Sequence, residues 1–398
     1  MPTAQAIQDA LAGSSMIRKM FEEGIALKKQ YGAENVFDFS LGNPDVPPPP
    51  VFYRTLRECV ADGAAGVHGY MPNAGFLETR EAVARKVSRD HNVHITGSEV
   101  VMAVGAAGAL NAVLKSILNP GDEVIVSKPF FMEYRQYAAN HQGRLVEVAS
   151  QPDFNLDLNA IQNALSAKTA AVLINSPNNP TGRVYPAETL AGLSELLLEH
   201  GVQSGRFPYL ITDEPYRELV YDGRSTPPVM LVYPHTIVVY SFSKSLSLPG
   251  ERIGYAAVAP AIDDKENLVA GIIYTTRVLG YVNAPALMQR CVTALAGEKL
   301  EAGVYAGRRA AFIEVLNEAG IGFAPPEGAF YIFAKVPAKV GGTGDDAAFS
   351  AHLKKHLILS VPGSAFGAPG WIRLAYCVNE KIIRASAPSF KKAAAEYQ

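Results

Sequence analysis

Thr236-Ile237-Val238-Val239-Tyr240 runs directly into Ser241-Phe242-Ser243-Lys244-Ser245-Leu246-Ser247-Leu248-Pro249-Gly250-Glu251-Arg252, and Ile253-Gly254-Tyr255-Ala256-Ala257-Val258 follows. The two flanking runs are apolar, with no strict polar alternation, which reads as a pair of strands covered on both faces. The loop between them carries a lysine among serines and a permanent cation eight residues later. A lysine in a serine-rich loop is ordinarily a solvated side chain, so Lys244 decides nothing alone. Its position after a buried strand does bear on the fold.

The same alternation extends outward from this stretch. Glu99–Val104 reads as a strand and Ala106–Leu118 as a helix with apolar residues at helical spacing. Glu123–Ser127, Arg144–Val148, Ala170–Ile174 and Tyr209–Thr212 are further strands, with helical segments at Met132–His141, Leu156–Leu165 and Ala187–Glu199. Strands of this kind separated by helices predict an α/β fold, a mainly parallel sheet flanked by helices. Ligands of such sheets sit in the loops at the carboxyl ends of strands.

The C-terminal third changes character. A helical segment over Lys299–Ala319 precedes Gly328–Val336, Asp345–His356, Leu357–Val361, Trp371–Cys377 and a last helix from about Asn379. An N-terminal helix (Ile17–Tyr31) and short strand (Val36–Ser40) cannot bury their own apolar faces. They are expected to join the C-terminal part, with Pro47–Pro50 as a stiff crossing. The expected domains are therefore 47–285, a large domain, and 1–46 together with 286–398, a smaller α+β domain.

Composition narrows the function classes. The 398 residues are 48% hydrophobic and 19% charged, and 36 Lys+Arg against 38 Asp+Glu give a net charge of −2. That balance lacks the basic excess of a nucleic-acid binder or a polybasic membrane anchor. Cys59, Cys291 and Cys377 are far apart and form no CxxC pair, so a disulfide framework or thiolate metal site is not expected. The N-terminus does not read as a signal peptide, and Val100–Leu114 is too short to span a bilayer. A cytoplasmic location is the expectation. His352 and His356 have a metal-compatible spacing, but HLKKH offers no third ligand and reads as a solvated helix face. No metal is expected.

Two more strand-end loops change the weight of Lys244. Ile211-Thr212-Asp213-Glu214-Pro215-Tyr216 places an acid and a phenol after one strand, where the bland alternative is an N-cap. Asn175-Ser176-Pro177-Asn178-Asn179-Pro180-Thr181-Gly182 follows another, and alone would be a turn. Together with the Ser–Lys–Arg loop, they make the chain resemble the fold-type-I pyridoxal-phosphate enzymes, specifically the class I/II, aspartate-aminotransferase-like aminotransferases. The resemblance runs from Gly42-Asn43-Pro44-Asp45 to Trp371-Ile372-Arg373-Leu374.

That resemblance implies a pyridoxal 5'-phosphate cofactor held by residues 47–285. Lys244 matches the lysine of the internal Schiff base, which later shuttles the proton as free base. Asp213 matches the acid paired with the pyridine nitrogen, which keeps the ring an electron sink. Tyr216 and Asn179 match groups bonded to the ring 3′-oxygen, and Phe131 matches the aromatic stacked on the ring. The phosphate falls to Gly105, Ala106 and Ala107 at a strand-to-helix junction, with Ser241 and Arg252. Tyr70 matches a tyrosine reaching the phosphate of a neighbouring subunit, which implies a homodimer. Arg373 matches the clamp on the substrate α-carboxylate, and Gly42 a close approach of backbone to substrate. Both, with Asn179, are the expected substrate contacts.

The implied reaction moves an amino group from an L-amino acid to an α-keto acid such as 2-oxoglutarate. A carbon–sulfur β-lyase is the alternative that uses the same residues. No arginine for a second carboxylate can be placed: Arg18, Arg135 and Arg277 are candidates indistinguishable from solvated arginines. Met16, Phe330 and Tyr331 are candidates for an apolar side-chain pocket, with core packing the competing role for Phe330.

Overall fold

The computed structural model describes residues 3–5, 7–8, 16–298, 302–337 and 344–397. The chain forms two compact units, one of Val46–Ala302 with Glu327–Ala329, the other of Met1–Asp45, Gly303–Pro326 and Phe330–Gln398.

The larger unit is built on a seven-stranded sheet in the spatial order Val100–Ala103, Gly254–Val258, Thr236–Ser241, Tyr209–Asp213, Thr169–Asn175, Glu123–Ser127, Arg144–Val148. Gly254–Val258 runs antiparallel to both neighbours, and the remaining pairs are parallel. Successive strand residues go to different cores, as the two-residue period of a sheet requires. Val124, Val126, Ala171, Leu173 and Ile211 join one apolar cluster, while Ile125, Val172, Ile174 and Leu210 join another. Both faces are therefore covered, which explains why these strands read as continuous apolar runs. Helix Gly105–Ile117 contributes to the first cluster, and helices Leu158–Ala164 and Ala187–Ser204 to the second.

Helix Ala286–Leu295 also belongs here: Met288, Cys291, Val292 and Leu295 are buried in the first cluster. The unit boundary thus falls at Gly303 and not at the expected 286. Pro50 is the first residue of helix Pro50–Ala61, where its missing N–H costs no hydrogen bond, so the proline run ends inside an element.

The smaller unit holds a four-stranded antiparallel sheet in the order Val361–Pro362, Trp371–Ala375, Tyr331–Lys335, Phe323–Ala324. A second ladder pairs Phe37–Asp38 in parallel with Ile358–Leu359. The segment expected as one strand over Leu357–Val361 is split at Ser360 between these two sheets. The expected final helix is likewise two, Glu380–Ala385 and Ala387–Tyr397. Phe39, Phe312 and Phe390 pack with ring centroids 4.6 to 6.0 Å apart at this unit's centre. Among the described residues, no helix is long and apolar enough to cross a membrane.

Gly254 marks the tightest backbone approach in the large sheet. A Cβ there would lie 2.3 Å from the Tyr240 carbonyl oxygen and 2.9 Å from the carbonyl carbon of Gly105. Backbone cannot rotate away, so Gly254→Ala is expected to destabilise the protein by about 1–3 kcal/mol or more. A urea denaturation midpoint equal to wild type would contradict this packing.

Candidate active site

The strand register delivers the chemistry-bearing loops to one edge. Asn175 pairs with Asp213, Asp213 with Val239, and Gly254 with both Ser241 and Ala103. Residues after the carboxyl ends of four parallel strands therefore emerge side by side.

Asp213 is the last residue of its strand and is 6% exposed. Its Oδ2 accepts a hydrogen bond of 2.6 Å from the Tyr134 hydroxyl, while Oδ1 is buried with no partner. Burial pushes this carboxyl from 3.8 up to about 7, opposed only in part by the Tyr134 hydrogen bond, with the charge of Glu214 adding to the rise. Burial and the nearby Asp213 also drive the Tyr134 phenol upward, so it remains a donor. An orphaned acceptor on a buried acid calls for a protonated nitrogen or similar donor.

Asn175 secures the next loop: its Nδ2 donates to the Asp213 carbonyl at 2.8 Å, and its Oδ1 accepts from the Asn179 N–H at 2.7 Å. Asn178 Oδ1 accepts from the backbone and hydroxyl of Thr181. Asn179 and Tyr216 are both buried, at 5% and 4% exposure. Lys244 lies half-buried in the one-turn helix Phe242–Ser245. Ser241 caps that turn, accepting from the Ser243 N–H at 3.2 Å and sharing a 2.6 Å contact with the Ser243 hydroxyl.

Arg252 closes against the helix that starts at Gly105. A Cβ on Gly105 would lie 2.7 Å from Arg252 Nη2, and its φ of +71° already favours glycine. No side chain caps helix Gly105–Ile117, so its first N–H groups, from Gly105, Ala106 and Ala107 onward, are offered to an anion together with the guanidinium. Phe131 is partly exposed and meets Tyr134 edge-on at 5.6 Å, whereas Phe130 is 2% exposed and is core. Tyr70 is 93% exposed. These groups fit a planar cofactor with a ring nitrogen, an aldehyde and a phosphate.

In the smaller unit Arg373 sits on strand Trp371–Ala375 at 3% exposure. Its Nη2 donates to the Ser40 carbonyl at 2.7 Å, and its guanidinium lies over the rings of Tyr331 (4.6 Å) and Phe366 (4.9 Å). A Cβ on Gly42 would fall 2.0 Å from the Tyr331 hydroxyl oxygen. Phe330, at 0% exposure, is core against Tyr305, and Tyr331 is buried as well. Arg135 pairs with Glu147 at 2.6 Å, and Arg277 lies over Tyr274. The side chains of Met16 and Arg18 lie outside the described residues.

The structure adds a charged network that sequence reading missed. His91 ends helix Leu77–His91 at 1% exposure, with Nε2 3.2 Å from Glu214 Oε2. Arg217 Nη1 donates to the same carboxylate at 2.9 Å. Burial would raise Glu214, but Arg217 and His91 outweigh it and hold it near 2. Lys86 bonds Glu218 and Asp90, and the Tyr240 hydroxyl bonds Glu218 and Ser245. The i,i+3 spacing of Glu214–Arg217 and the i,i+4 spacing of Lys86–Asp90 are visible in sequence. Their link to Tyr240 and His91 is not.

The chain is similar to known proteins along most of its length. The sequence model described as aminotransferase class I and II matches residues 34–387. A probable aspartate/prephenate aminotransferase of Thermus aquaticus is 32% identical over 376 residues, 92% of this chain and 94% of that protein. An aspartate aminotransferase of Thermotoga maritima is 33% identical over 87% and 88% of the two chains. Among solved structures, an amino transferase from Eubacterium rectale superposes with a TM-score of 0.95 at 38% identity over 100% of both chains. The aspartate aminotransferase of Thermus thermophilus with maleate gives 0.85 at 29% identity, over 96% and 97%.

The raised Asp213 carboxyl sets a pH signature. The folded chain binds this proton more tightly than the unfolded chain, so the group's contribution to stability is full below pH 4 and is lost as pH rises to about 7. In cofactor-free protein, Asp213→Asn should therefore gain on wild type across that window, by a few kcal/mol in order of magnitude, and no further above it. Urea denaturation from pH 4 to 8 reads the gap, and a pH-independent gap would contradict the buried carboxylic acid.

Proposed function

This chain belongs to the class I and II aminotransferases, which are pyridoxal-phosphate-dependent enzymes, and we propose that it moves an amino group from an L-amino acid to an α-keto acid such as 2-oxoglutarate. The observation that carries this reading is the buried, unpartnered Oδ1 of Asp213, an acceptor suited to a pyridinium N–H. When bound, pyridoxal phosphate supplies an electron sink for the bond to hydrogen at the substrate Cα.

The protein's own groups take the remaining roles. Lys244 Nζ would hold the cofactor covalently and, once released, carry the proton to and from the substrate Cα. Tyr216 and Asn179 would bind the ring hydroxyl oxygen, and Phe131 the ring face. Gly105, Ala106, Ala107, Ser241 and Arg252 would bind the phosphate through N–H, hydroxyl and guanidinium donors. Arg373 would bind the α-carboxylate with a fork already immobilised by Ser40, Tyr331 and Phe366, so little entropy is lost on binding. Gly42 would let backbone approach the substrate.

We also propose a homodimer in which the exposed Tyr70 serves the phosphate site of the partner subunit. The names of the relatives make aspartate the first donor to test.

The test is the visible spectrum of the purified protein as single amino acids are added without keto acid. The imine band should disappear with the correct donor and return when a keto acid follows. A persistent band with pyruvate accumulating would instead establish a β-lyase. Lys244→Ala should abolish borohydride-reducible attachment and cut turnover by about 10²–10⁴-fold or more. Arg373→Ala should lower kcat/KM by about 10²–10³-fold for all amino acids alike. Unequal losses across donors would mean that Arg373 reads side chains.

A further inference from the structure

The smaller unit carries a second cluster unrelated to the cofactor residues. Helix Asp346–Lys355 presents His352, and His356 caps its C-terminus, with ring centroids 5.1 Å apart. The terminal helix Ala387–Tyr397 brings Glu396, whose Oε2 lies 3.1 Å from His356 Nε2. One ligand atom from each of the three residues lies within 4.8 Å of the others, the one such group among the described residues. The sequence showed two of these ligands and hid the third, because Glu396 is 40 residues beyond His356.

We propose that His352, His356 and Glu396 form a binding site for a divalent transition metal, Zn²⁺ in particular. Two imidazoles and one carboxylate are a zinc-type donor set, with water as the fourth ligand, whereas Mg²⁺ and Ca²⁺ require oxygen ligands. Donors about 2.1 Å from a tetrahedral ion stand roughly 3.4 Å apart, so the His356–Glu396 pair is already at ligand spacing. Side-chain rotation closes the remaining gap from at most 4.8 Å to roughly 3.4 Å.

The scaffold is fixed before any ion binds. The Ala393 carbonyl lies 3.1 Å from His352 Nε2 and accepts its proton, leaving the other ring nitrogen with the lone pair. Tyr397 packs on His352 and Phe349, and its hydroxyl donates to the Asp345 carbonyl at 3.2 Å. The two helices are thus held together on both sides of the cluster. Lys392 competes only weakly, with Nζ 3.9 Å from Glu396 Oε1. The ion would staple the terminal helix to helix Asp346–Lys355.

The holoenzyme titrated with ZnCl₂ by calorimetry should take up one Zn²⁺ per chain at this site, and its Tm should climb with Zn²⁺ concentration by mass action. The His352→Ala/His356→Ala double variant should lose that uptake and the Tm response. Glu396→Gln, exposed on its helix, should fold normally and bind about tenfold or more weakly. Co²⁺ should give visible d–d bands in wild type that the double variant lacks. Absence of a Zn²⁺-dependent Tm rise in wild type, or uptake unchanged in Glu396→Gln and the double variant, would overturn the proposal.

Discussion

Removing a carboxylate from water costs several kcal/mol unless a cation or enough donors meet it, and Asp213 is met by the Tyr134 hydroxyl at one oxygen only. The larger unit is organised around that incomplete satisfaction. The strand that ends at Asp213 lies between two others whose register brings Asn175 and Val239 alongside it. Asn175 then ties the Asp213 backbone to Asn179, so the loop with the second polar group is fixed by the same strand pair. A partner that donates to Oδ1 recovers free energy that the fold alone leaves unspent. Stability near pH 7 and affinity for such a partner are in that sense the same quantity seen from two sides.

Glu214, one peptide further, shows that environment and not residue type sets the behaviour. Both acids are desolvated, yet Asp213 rises to about 7 while Arg217 and His91 hold Glu214 near 2. Two neighbouring carboxyls driven apart in this way take different roles: one remains open to a ligand and the other is a structural anion. The anion fastens the Asp213–Tyr216 segment to helix Leu77–His91. Lys86 of that helix binds Glu218, and Tyr240 passes the link to Ser245 beside Lys244. Two separate loops are thereby tied to one helix.

The sequence made the candidate site legible wherever it sits at a strand end. Apolar runs without alternation announce strands buried on both faces, and polar residues directly after them announce the functional edge. The positions of Lys244, Asp213 and Asn179 at or after buried strands were readable for that reason, as was that of Arg373 within an otherwise apolar run. Reversal of Gly254–Val258 was not readable, because a buried strand has the same composition in either direction. Nor was the assignment of helix Ala286–Leu295 to the larger unit, which rests on Met288, Cys291 and Val292 meeting residues some 200 positions earlier. His91 and Glu396 were missed for the same cause: their meaning comes from a partner far away in sequence.

Substrate choice follows a different logic from the chemistry. Arg373 is engaged by Ser40 and flanked by two rings, so in its proposed role it would offer one rigid fork to a group that every amino acid carries. Such a contact would bind all donors alike and confer no discrimination. Arg135 is spent on Glu147, and Arg277 lies over Tyr274, so neither is positioned by its described contacts to read a second carboxylate. In the proposed reaction, selectivity would then fall to groups outside the strand-end set. On the proposed function, strand ends would fix what is done to the Cα of a donor, and the surrounding loops which donor is admitted. That division would let one scaffold serve amino acids with dissimilar side chains without moving Asp213 or Lys244.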